Sequence, residues 1–309
     1  MKSNKFKIFT GYSVLLFFGL LVTVSCEKDQ ISGVEANDGN LINPLGWVEL
    51  QEYRNVAASR VYVTHQGQIG SSRIHNYRVQ GNIKDVDDPQ KFKAIDKVMI
   101  GDVEIPQLRA DETYGENTGV FNMVFGPLLN NAGYESLNES LGMETAISII
   151  DENGIADNIS VRLMPALGAS VFQEGTHYHD LTELDKSKPL TVSWSTDNQF
   201  ISPRDGAYTD YVGAMVYYSP SRSARENDLN VDLPDDVITS EFVVPFDVGS
   251  ITFTEADLAL FPSYGMITVY IGSVRYEVDE NGNLVSTPGG TSVVSGGIQG
   301  GGFIRIIEP

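Results

Sequence analysis

Thr145-Ala-Ile-Ser-Ile-Ile150-Asp-Glu-Asn-Gly154-Ile-Ala-Asp-Asn-Ile159-Ser-Val-Arg-Leu-Met164 decides the fold class. Apolar residues recur at every second position on both sides of the Asp151–Gly154 tetrapeptide. That is the period of a strand with one buried face. Asn-Gly supplies the positive φ that a tight hairpin requires. The same tetrapeptide returns at Asp279-Glu-Asn-Gly282, again between apolar runs.

Working outward, period-two runs bounded by Gly, Asn, Asp and Pro fill the chain from Trp47 onward. They predict strands over Arg60–His65, Asn76–Ile83, Lys97–Ile100, Val120–Phe125, Thr145–Ile150 and Ile159–Met164. Further strands are predicted over Leu190–Ser195, Val212–Ser219, Val237–Phe246, Ser250–Thr254, Met266–Val278 and Phe303–Ile307. No long segment keeps a helical period, so the expected class is all-β, built of Ig-like β-sandwiches with little helix beyond single turns. Thr254-Glu-Ala-Asp257 reads as one such capped turn, ended by Pro262. Residues 284–302, rich in Gly, Ser and Thr, read as a loose hairpin or a loop. Trp194 falls in phase with Leu190 and Val192, and Tyr218 with Val212, Ala214 and Val216; both are expected in the core.

The N-terminus carries an address. Lys2, Lys5 and Lys7 precede the apolar run Val14–Val24, and no acid occurs before Glu27. That run is too short to cross ~30 Å of hydrocarbon at ~1.5 Å per residue, and the order is that of a secretory signal peptide. Thr23-Val24-Ser25-Cys26 at its end resembles the lipobox of bacterial lipoproteins, in which the Cys is acylated after cleavage before it. Cys26-Glu27-Lys28-Asp29 resembles the acidic export signal of surface lipoproteins.

The expected organisation is a signal peptide over 1–25, an acylated Cys26 with a flexible tether over 26–46, and two sandwiches over 47–165 and 166–309. The break is placed at Pro165, because a polar stretch through Lys186-Ser-Lys188-Pro189 separates two strand sets. With lipobox, acidic tether, one β-domain and a second domain opening on Val192-Ser-Trp-Ser195, the chain resembles tandem-sandwich surface lipoproteins of the Bacteroidota. The Sus-type glycan-binding lipoproteins share that organisation. The resemblance implies an outer-membrane location facing outward, with the membrane as partner through the lipid. It transfers Cys26 and no ligand-binding residue.

Charge and motifs narrow the chemistry. Asp and Glu number 41 against 21 Lys and Arg in 309 residues, a net charge of −20 that repels phosphate backbones and excludes nucleic acid as a partner. One Cys excludes an internal disulfide and a thiolate-rich zinc site. Neither His-Glu-x-x-His nor Gly-x-Ser-x-Gly occurs, so no catalytic residue, enzyme activity or cofactor is expected. His177 and His179 could share a strand face as metal ligands, but they lack a third partner, and solvated imidazoles are the expected reading. Asp151, Asn153 and Asp157, and likewise Asp279, Asn281 and Asn283, carry oxygens at alternate positions as calcium loops do, and as hairpin turns do. Asp85, Asp87 and Asp88 read as a solvated turn. Tyr208 and Tyr211 lie among loop formers, and Arg222 and Arg225 in a long connection; the four are the predicted ligand-binding residues. The expected function is a non-catalytic surface binding module with glycans as leading ligand. An accessory subunit docking on an outer-membrane protein, or a hydrolase with no readable site, is the alternative.

Overall fold

The computed structural model describes residues 45, 59–70, 74–85, 87–88, 91–106, 119–181, 183–196, 208–219, 238–262, 265–281 and 283–306. The first half supplies β1 (Arg60–Gln68), β2 (Ile74–Asn82), β3 (Ile95–Ile100), β4 (Val103–Pro106) and β5 (Val120–Phe125). Helix α1 (Asn131–Ser140), β6 (Glu144–Asp151) and β7 (Ala156–Arg162) complete it. The second half supplies β8 (Ala169–Gln173), β9 (Thr176–His177), β10 (Glu183–Leu184), β11 (Leu190–Trp194), β12 (Tyr208–Ser219) and β13 (Ile238–Pro245). After these come β14 (Ser250–Phe253), the single turn α2 (Glu255–Leu258), β15 (Gly265–Glu277) and β16 (Ser292–Ile306). The protein is all-β, as the alternation predicts. Among the described residues no helix is long and apolar enough to cross a membrane.

Local chemistry sets the turns. Gly154 adopts φ +78° in the β6–β7 hairpin, where an L side chain would be strained. Thr254 and Asp257 cap each other reciprocally at α2. Helix α1 begins at Asn130, whose side chain accepts from the Gly133 N–H. This ten-residue helix was not predicted: Asn131-Ala-Gly-Tyr-Glu-Ser-Leu-Asn-Glu-Ser140 buries only Gly133 and Leu137, too few apolar groups to register as a period.

One long sheet runs β13-β12-β15-β16-β1-β2-β5, with β10 paired to the end of β16. Neighbours are antiparallel except that β16 lies parallel to β1 and to β10. Two four-stranded sheets, β4-β3-β6-β7 and β14-β11-β8-β9, accompany it. Residues directly opposite share a face, so Val63, Ser295, Arg275 and Asp210 line up on one face across β1, β16, β15 and β12. On the β1-β2-β5 flank of that face, Val61, Val79 and Phe121 pack with Val98, Ile105, Ile147 and Val161 of the first small sheet. On the other flank, Val212, Ala214, Val269 and Ile271 pack with Val171, Val192, Ile251 and Phe253 of the second. Trp194 and Tyr218 are buried there as predicted, and the Trp194 indole donates to the Phe246 carbonyl at 2.7 Å. Each such large side chain contributes roughly 1.5–3 kcal/mol on burial.

The expected division at 165/166 therefore separates two cores but not two independent sheets. β16, from the C-terminal half, pairs with β1 along nine positions and lends Val293 to the first core. Residues 163–168, which span the expected break at Pro165, form a strap: Leu163, Met164 and Leu167 are buried. Its polar backbone is satisfied from the face of the long sheet. Arg275 Nη1 donates to Leu163 O, the Met164 N–H to Ser295 Oγ, and Gln299 Nε2 to Leu167 O. Arg275 is held in turn by a bidentate pair with Asp210 at 2.8 and 2.6 Å, both side chains buried.

Two further expectations change. The glycine-rich stretch is the tip and returning arm of a hairpin rather than a loop: Ser286 bridges Ser292, and Ser292–Ile306 runs antiparallel to β15 as a single strand at the centre of the long sheet. Its glycines make room, for the His65 ring lies against Gly297, where a methyl group would overlap it. Ile69 and Tyr178 approach Gly301 less closely, leaving a methyl group there only a tight fit. Leu45, the one described residue of the tether, is buried against Met215 and Val243 on the opposite face of the long sheet.

Candidate functional site

A groove forms where two turns meet. After β2 the chain folds back through a Lys84–Phe92 bridge, closed by Asp85 N–H to Lys91 O at 3.0 Å and Lys93 N–H to Ile83 O at 2.8 Å. The Asp85 carboxylate accepts from the Asp87 N–H at 2.8 Å, and so tightens the turn. β3 follows at once, and its first residue, Ile95, pairs with Asp151 at the end of β6. That pairing sets the 85–93 turn beside the β6–β7 hairpin turn. Between them opens a cavity of about 550 Å³, lined by Asp85, Lys91, Phe92, Lys93, Glu152 and Asn153 together with Ala94 and Asp151.

The charges in the groove are unequally occupied. Asp151 Oδ1 accepts from the N–H groups of Asn153 and Ile155, both at 2.9 Å, and serves the hairpin. Lys91 pairs with Asp88 at 3.0 Å, and that hydrogen bond holds its ammonium above the ordinary lysine range. The Lys84 ammonium sits 4.0 Å from the Phe92 ring centroid. Among the described residues Lys93 and Glu152 form no ion pair. The groove thus offers an ammonium, a carboxylate, a carboxamide and an aromatic edge together. Such a set suits a ligand that donates and accepts hydrogen bonds while carrying apolar C–H surface.

The residues singled out from the sequence fare differently. Cys26, Arg222 and Arg225 lie outside the described residues, as do Trp47 and most of the loops that flank β12. Tyr208 and Tyr211 are not loop residues. β12 begins at Tyr208, which pairs with Glu277, and Tyr211 pairs with Val274. The Tyr211 ring stacks on Tyr276 at 6.4 Å and 21° and packs with the cluster that covers Leu45. It is half-buried, and burial pushes its hydroxyl pKa up. Period two extends four residues upstream of Val212, and the polar letters Thr209 and Asp210 conceal it. Asp210 is a core position filled by an ion pair.

His177 and His179 do come together, their rings stacked at 4.9 Å and 27°. Their nitrogens are engaged elsewhere. His177 Nδ1 accepts from the His179 N–H at 3.3 Å, and His179 Nε2 donates to Ile69 O at 3.3 Å. With His177 Nδ1 and His179 Nε2 both committed to backbone partners, the two rings do not present a chelate. Instead the pair braces the β1–β2 turn against β8 and β9, closing over Gly70. Asp279 Oδ1 accepts from the Asn281 and Asn283 N–H groups at 2.8 Å each, and these bonds hold its pKa below the usual carboxylate range. Asp157 accepts from Thr287 and from the Gly289 N–H. Both calcium-like sets are therefore spent on turns. Among the described residues no group of three potential metal ligands occurs.

No family model matches the chain, and no curated protein matches it. The groove was not read from the sequence. Its two turns were each recognised, but their meeting depends on β3 pairing with β6 about fifty residues away.

Proposed function

We propose that the protein is a lipid-anchored, non-catalytic binding module of the outer-membrane surface, and that its ligand is a carbohydrate held in the groove between residues 85–93 and the 151–154 turn. The groove carries the reading. Hydroxyl groups both donate and accept, so a sugar can use Glu152 and Asn153 as acceptors and Lys93 as donor, with Phe92 against its C–H face. A volume of about 550 Å³ falls within the range of small-molecule sites. The basic, apolar, small-residue, Cys order supports the anchor, and the net charge of −20 means that acyl chains rather than charge would hold the body to the membrane.

The test is a glycan array followed by titration of the best ligand against wild type and a Lys93→Ala, Glu152→Ala double variant. Affinity should fall by about five- to thirtyfold, the equivalent of about 1–2 kcal/mol. Equal affinity of a folded variant removes the groove, and an array without binders removes the carbohydrate. Acylation is tested separately: Cys26→Ala should lose lipid labelling and accumulate precursor.

A further inference from the structure

The two turns that form the groove differ in charge. Residues 84–93 carry Lys84, Lys91 and Lys93 with Asp85, Asp87 and Asp88, while residues 151–155 carry Asp151 and Glu152 and no base. Most of these charges are engaged. Lys91 is paired with Asp88 at 3.0 Å, and Asp85 adds to the attraction on it. Asp85 Oδ1 and Asp151 Oδ1 accept backbone N–H groups of their own turns. The Lys84 ammonium lies 4.0 Å from the centroid of the Phe92 ring. Two lining charges are left over: Lys93, half-buried, from the first turn, and Glu152, exposed, from the second. Among the described residues neither forms an ion pair, with the other or with a third group.

A ligand seated in the groove takes water from both charges, and that costs free energy unless each meets a counter-charge. A neutral sugar offers hydroxyl dipoles alone. A sugar acid satisfies Lys93 but brings a like charge to Glu152, and it approaches a chain whose net charge is −20. An amino sugar satisfies Glu152 and is drawn by that field, yet it meets Lys93 with the same sign. A sugar that carries both an ammonium and a carboxylate answers both, through charge-assisted hydrogen bonds about twice as strong as neutral ones. Resting on the carbohydrate reading of the groove, we infer that the ligand is a zwitterionic sugar, an amino-uronic acid unit. Its ammonium meets Glu152 and the Asn153 carboxamide oxygen, and its carboxylate meets Lys93. Lys84 fixes the direction: its charge beside Phe92 turns a second cation away from that ring and toward the hairpin.

The experiment titrates the full chain at low salt with four probes built on one ring: glucose, glucosamine, glucuronic acid and glucosaminuronic acid. A fifth probe, γ-aminobutyric acid, carries both charges without the ring. The expected order of affinity is glucosaminuronic acid, glucosamine, glucose, glucuronic acid, with the first at least about tenfold tighter than glucose. Lys93→Ala should weaken glucosaminuronic acid more than it weakens glucosamine. Glu152→Gln should weaken it more than it weakens glucuronic acid. Added salt should narrow the spread. An unchanged unfolding midpoint checks that both variants are folded. Equal affinity for glucose and glucosaminuronic acid overturns the zwitterion and leaves the carbohydrate groove standing. Binding of γ-aminobutyric acid as tight as that of glucosaminuronic acid overturns both, since the ring then adds nothing. No binding by any ring probe overturns the inference, and the glycan array then decides the carbohydrate reading. Losses in the variants that ignore the charge of the probe overturn the assigned contacts.

Discussion

The two flanks of the long sheet and the seam between them are built on opposite principles. Each flank buries aliphatic and aromatic side chains under a small sheet, and the attraction there is non-directional. Along the seam the same face carries Asp210, Arg275, Ser295, His65 and Gln299, all buried, and three of these bond the backbone of the strap. Apolar packing could let the two small sheets slide over the long one. A carbonyl and an N–H fixed by specific donors and acceptors cannot slide. The difference shows that hydrophobic area holds each half together, while directed hydrogen bonds set the register between them.

The sharpest way to break that comparison is Asp210→Ala. It strands the Arg275 guanidinium in the interior and should cost about 3–5 kcal/mol, measured by urea unfolding. A double variant, Asp210→Leu with Arg275→Met, turns seam into core and should recover most of that loss. If it recovers nothing, the strap contact to Leu163 matters more than the ion pair.

Acid probes the same seam. Burial lowers the His65 pKa from 6.5 to about 4, and its Nε2 has no hydrogen-bond partner among the described residues. Between those values the unfolded chain binds a proton that the folded chain refuses, so stability rises with pH across this window and falls as pH drops through it. The full difference is about 3 kcal/mol. Relative to a His65→Leu variant, wild type should lose most of that amount between pH 7 and pH 4.5, since the carboxylate contributions are common to both. Parallel curves would remove His65 as the source.

The smallest effect sharpens rather than breaks the comparison. Ser295→Ala leaves the buried Met164 N–H without its acceptor and should cost about 1–2 kcal/mol. A substitution of equal size at exposed Ser187 should stay within about 0.5 kcal/mol. Equal losses would mean that the strap finds another acceptor.

Legibility followed sequence distance. Strands with a clean period of two, such as β6 and β11, stand within a residue or so of their predicted bounds, and the Asn153-Gly154 hairpin forms as expected. β16 was hidden because a strand paired on both sides needs room more than side chains, and Gly297 and Gly301 provide it. The groove was hidden because its halves lie on separate turns.

The sequence by itself determined the all-β class, the places where the chain turns and the side chains that fill the two cores. Alternation, Asn-Gly turns and capping residues act over a few positions and need no distant partner. Only the tertiary structure decided that β16 lies between β15 and β1 and joins the halves in one sheet. It alone made Pro165 part of a buried strap, placed Tyr211 in a strand, and brought Asp85 and Glu152 to one groove. The physical reason is that these features depend on which strands pair across separations of tens to hundreds of residues. That choice is made by complementary faces and by buried polar groups that must find partners, and neither leaves a local pattern in the chain.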